Sequence, residues 1–122
     1  MTEKEVKDII KWLSIKNGDK YNFLKASEEL QELSLALIQR VTKPASNNLD
    51  DIILEYADVT LRLEVALESL RTLDPNVEEK IYMKLIDKLE YLKDASLKDS
   101  ALLNLQSLQN GESAKDDSSG SN

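Results

Sequence analysis

The chain has 122 residues, enough for one domain with a buried core and too few for two. It carries 23 Asp and Glu against 16 Lys and Arg, a formal net charge of -7, and this acidic excess opposes a phosphate backbone, so no nucleic-acid partner is expected. Cysteine and histidine are both absent, which excludes disulfides, thiolate or imidazole metal sites, a cysteine nucleophile, serine–histidine catalysis and the Glu-x-x-His pattern of di-iron bundles.

Any chemistry therefore falls to carboxylates and lysines. Three glycines, two prolines and an abundance of leucine, lysine and glutamate predict an all-α fold, a helical bundle of four to five helices. The first helix is expected over about Thr2–Lys16. Thr2-x-x-Glu5 opens it as a capping box, Val6, Ile9, Ile10 and Leu13 recur at helical spacing, and Asn17-Gly18 ends it. The second runs from about Asp19 to Val41 and stops at "TKPASNN", where Asn47 or Asn48 caps the third, Leu49 to Leu73. Asp74-Pro75 reads as N-cap and first helical position of a fourth, reaching about Lys93 with Val77, Ile81, Leu85, Leu89 and Leu92 in line. A weaker amphipathic segment, "SLKDSALLNLQSLQN", follows a Ser96-x-x-Asp99 start. Residues 1–109 are expected to form a single domain, and 110–122, small, polar and charged, a disordered tail.

No apolar run approaches the roughly 20 residues that cross a bilayer. The start "MTEKEVKDIIKWL" lacks the basic opening and unbroken apolar stretch of a signal peptide. A cytoplasmic protein with no membrane partner is the expectation.

The acidic residues are patterned. With Glu29 at zero on a helical wheel, Glu32 falls about 60° to one side, while Leu33, Ala26, Leu37 and Leu30 lie about 40–100° to the other. Lys25 and Asn22, one and two turns earlier, share the strip of Glu29. The third helix repeats the layout, with Asp58 about 60° from Glu55 and Val59, Ile52, Leu63 and Ala66 on the other flank. If the two apolar stripes pack together, four carboxylates converge on one rim. Their mutual repulsion invites a hard divalent cation such as Mg2+.

Glu29-x-x-Glu32, a gap of 22 residues and Glu55-x-x-Asp58 resemble the ExxE…ExxD signature of the MazG-like all-α nucleoside triphosphate pyrophosphohydrolases. "EYADVTLRLEVAL" is similar to the family's E-x-x-D helix, and "VEEKIYMKLIDKLEYLK" to the lysine-bearing helix that follows it in short phage and prophage members. The likeness covers roughly residues 19–93.

The resemblance implies a MazG-like bundle in which Glu29, Glu32, Glu55 and Asp58 hold Mg2+, with Mn2+ an accepted substitute, on a nucleoside triphosphate. Water then attacks the α-phosphorus to give the monophosphate and pyrophosphate, and Glu29 or Glu32 takes its proton. Lys84 and Lys88 face the β- and γ-phosphates or a solvated surface; Lys25, Arg62 and Asn22 are further substrate-contact candidates. Each has a plain alternative. Arg62 stands four residues after Asp58 and is placed for an intrahelical ion pair, Asn22 for ordinary exposure, and Trp12 for packing. Glu28 points about 100° from Glu29 and reads as solvent-facing. The resemblance also implies a homo-oligomer, four copies being preferred over two. The competing function is a non-catalytic nucleotide- or protein-binding module of the same fold.

Overall fold

A computed structural model describes residues 1–110, and every element in it is helical: α1 Glu3–Asn17, α2 Asp19–Thr42, α3 Leu49–Leu73 and α4 Val77–Asn110. The expected disordered tail lies outside the described residues, apart from Asn110 at the end of α4. No helix among the described residues is long and apolar enough to cross a membrane.

Local signals explain three of the boundaries. Thr2 Oγ1 accepts the Glu5 N–H at 3.1 Å and the Glu5 carboxylate accepts the Thr2 N–H at 3.1 Å, closing the capping box. Hydrogen bonding from the Thr2 N–H, and then from its hydroxyl, holds the Glu5 carboxyl below its ordinary pKa. Gly18 takes φ 81°, a conformation open to glycine, and its N–H returns to the Ser14 carbonyl at 3.0 Å, so the chain turns at once into α2.

Two expected boundaries are corrected. α4 starts two residues after Pro75, because Asp74 makes a turn first: its Oδ1 accepts the Asn76 N–H and its carbonyl the Val77 N–H, both at 3.0 Å. The expected break after Lys93 is absent. Nothing from Val77 to Asn110 is glycine or proline, so the capping pattern at Ser96 is read through and the two expected segments form one helix of 34 residues. The described residues thus form four helices.

By contacts the chain divides into two compact units, Met1–Glu78 and one beginning at Glu79. In the first, α2 lies antiparallel along α3, and α1 rests chiefly on α3. Its fully buried apolar residues are Ala26, Ala36, Val59, Val65 and Ala66, none larger than valine. Ser14, Asn22, Glu29, Asn48 and Ser69 are buried beside them. Trp12, expected to pack, is 57% exposed in the single chain, with Lys16 Nζ 4.7 Å above its ring. No residue of α4 is fully buried; Ile81, Leu85, Leu89 and Leu92 are all exposed.

Candidate metal centre

Along the α2–α3 seam the expected meeting of acids takes place, with three members. Carboxylate oxygens of Glu29, Glu32 and Glu55 lie within 4.8 Å of one another. The cause is the wheel position read from the sequence: Glu29 borders the apolar stripe of Ala26 and Ala36, Glu55 borders that of Val59, and closing the stripes closes the acids. Asp58 is half-buried and not one of the three; its side chain is a methylene shorter and lies on the neighbouring strip of α3.

Burial makes the group electrostatically unusual. Glu29 is 8% exposed. Its Oε2 and that of Glu55 are buried without a hydrogen-bond partner. Ionised carboxylates are acceptors only, so three of them cannot satisfy one another; a shared proton or a cation must do so. The crowding raises the pKa of Glu32 above its ordinary 4.5, first through hydrogen bonding with the Glu29 carboxyl, then through the charge of Glu29, burial and Glu55. Lys25 partly offsets the charge. Its ammonium sits 2.9 Å from Glu28 and 3.3 Å from Glu29, and both carboxylates raise its pKa, Glu28 the more.

The donor set fits a hard divalent cation: three carboxylates on two rigid helices, two of them with buried, unpartnered oxygens. Beside it opens a cleft of about 330 Å³ lined by Glu32, Leu35, Ala36, Gln39, Asp51 and Glu55. That volume falls in the range of small-molecule sites. Asp51 and Gln39 had no place in the expected site. Their signal was available in spacing, since Asp51 precedes Glu55 by one turn and Gln39 follows Glu32 by two.

The remaining expected contacts divide. Glu28 is exposed, as read from the wheel. Asn22 is not on an exposed strip: it is 2% exposed, and its Nδ2 donates to Ser69 Oγ at 2.7 Å and to the Ser14 carbonyl at 3.0 Å. Arg62 is half-buried, and the expected Asp58–Arg62 ion pair is not among those formed by the described residues. Lys84 and Lys88 are exposed, one turn apart on α4 in the other unit. Comparison with known proteins finds no matching family, no matching curated protein and no matching solved structure.

Proposed function

We propose that this chain is an Mg2+-dependent nucleoside triphosphate pyrophosphohydrolase of the MazG-like kind, cleaving an NTP or dNTP to the monophosphate and pyrophosphate. The observation that carries the reading is the convergence of Glu29, Glu32 and Glu55, with two buried oxygens that lack a donor, at the mouth of a cleft. Acids kept for solubility have no reason to be driven against one another in a seam. A bound Mg2+ would supply charge neutralisation for the phosphoryl oxygens. Glu29 and Glu55 would hold the cation, with Asp58 one turn along α3 as a further acid beside them. Glu32, the most exposed of the three, takes the proton of the attacking water while the new O–P bond forms and the bond to pyrophosphate breaks.

The functional form is a homo-oligomer, a tetramer in preference to a dimer. In the first unit the core stops at valine, while Leu24, Leu35, Ile38, Ile53 and Leu54 are exposed. Large apolar side chains left uncovered in this number mark a surface made for another chain.

The test is a panel of ribo- and deoxyribonucleoside triphosphates incubated with the protein and Mg2+, scored for pyrophosphate. At least one member releases pyrophosphate and monophosphate in equal amounts, and EDTA abolishes it. No product from any nucleotide at micromolar protein would refute the assignment.

A further inference from the structure

We propose that two buried asparagines, Asn22 and Asn48, set the register of α2 against α3 and are thereby the positioning residues of the carboxylate triad. Each joins the helices at one end of the antiparallel pair. At the end near Gly18, Asn22 Nδ2 donates to Ser69 Oγ at 2.7 Å and to the Ser14 carbonyl at 3.0 Å, and the Ser14 and Ser69 hydroxyls are 3.1 Å apart. At the other end Asn48, at the N-cap of α3 where Asn47 or Asn48 was expected, makes no side-chain cap bond, and its Nδ2 donates to the Ala36 carbonyl at 3.0 Å. Glu29, Glu32 and Glu55 lie between these two clips.

The apolar contacts between the clips cannot set the register alone. Ala26, Ala36, Val59, Val65 and Ala66 are the buried apolar residues, and small side chains make shallow ridges that fit their grooves at more than one offset. Directional bonds to buried groups have no such tolerance. A slip of one helical turn, about 5 Å, strands the Asn22 and Asn48 donors and the Ser69 hydroxyl in a site that excludes water, Ser69 being 0% and Asn22 2% exposed. The same slip exceeds the 4.8 Å within which the triad's oxygens now meet. Register at the clips and geometry at the acids are one quantity.

The register role stands on the clips themselves; its consequence for cation binding rests on the proposed reading of the triad. The chain has no cysteine, so Gln31→Cys and Glu64→Cys, both exposed positions, place a single pair of spin labels on α2 and α3. Dipolar spectroscopy of the parent gives one narrow distance. In Ser69→Ala, which keeps the Asn22 bond to the Ser14 carbonyl, and in Asn48→Ala, the distribution broadens or gains a second maximum while helix content by circular dichroism stays the same. Mn2+ affinity of the unlabelled variants, read from the free-ion electron paramagnetic signal well below their melting temperatures, falls about tenfold or more, as for other residues that orient ligands. A merely structural asparagine would lower the melting temperature and leave both readouts in place. Unchanged distances in folded variants overturn the proposal. A parent with the single narrow distance and no Mn2+ uptake instead overturns the cation reading of the triad, and the positioning role with it.

Discussion

Glu55→Gln removes the stabilisation that Mg2+ confers. In the parent, an ion that binds only the folded chain at a hundredfold excess over its Kd adds about 2.7 kcal/mol, which for a chain of this size raises the melting temperature by roughly 10 °C. Glutamine keeps the shape of Glu55 and gives up one of the three charges that converge at the seam, so the variant stays folded and its melting temperature no longer moves with Mg2+. Differential scanning calorimetry reads both numbers. The response also carries a pH signature. The pKa of Glu32 is raised in the folded protein, above all by its hydrogen bond with Glu29, so the folded state favours the protonated form. In the ion-free protein that contribution to stability is fully present below the ordinary carboxylate value of 4.5 and is lost as pH rises through the folded pKa. Mg2+ competes with the same proton, so its stabilising effect grows across that rise. A parent whose Mg2+ response is flat with pH, or a Glu55→Gln protein that responds as the parent does, contradicts the site.

Assembly shows the second large effect. Light scattering of the parent gives a multiple of 13.8 kDa, four copies in preference to two, and Ile38→Asp shifts it toward the single chain. Ile38 is 55% exposed on the outer side of α2, in line with Leu35 at 57%. Its burial against a second copy is worth about 2 kcal/mol per side chain. In a two-fold interface the loss counts twice, so association weakens by roughly a thousandfold. A parent that stays at the mass of one chain at tens of micromolar contradicts the oligomer.

Much of this fold could be read from short-range patterns. Thr2 acts on Glu5 three residues away and Gly18 on Ser14 four residues away, and their effect on α1 was plain from their order in the chain. α3 begins and ends where its apolar spacing does. The failures involve partners distant in sequence. Asn48 stands at the N-cap of α3 as read, but without a side-chain cap bond, and its amide goes to the Ala36 carbonyl 12 positions away; Asn22 has the look of a surface residue until Ser69, 47 positions away, is brought beside it. The break expected at Ser96 shows the complementary error, in which a capping signal without a glycine or proline behind it is overridden by continuous helix-forming residues.

The candidate site was legible to the same depth. Wheel angles alone bring Glu29, Glu32 and Glu55 to a common seam, since each lies beside a stripe that has to be covered. They say nothing of reach, and reach is what leaves Asp58 out of the triad and lets Asp51 and Gln39 line the cleft. The orphaned oxygens of Glu29 and Glu55 belong to the folded molecule only. They distinguish this cluster from a fully solvated acidic surface.

The most direct measurement is the anomalous scattering of crystals grown with Mn2+ in place of Mg2+. The expected result is a peak at the α2–α3 seam, in contact with carboxylate oxygens of Glu29 and Glu55 and beside Glu32, at about 2.0–2.1 Å, the distance of an octahedral Mg2+ site. A well-diffracting crystal with no peak at that seam, or with Mn2+ bound only at other acids, contradicts it.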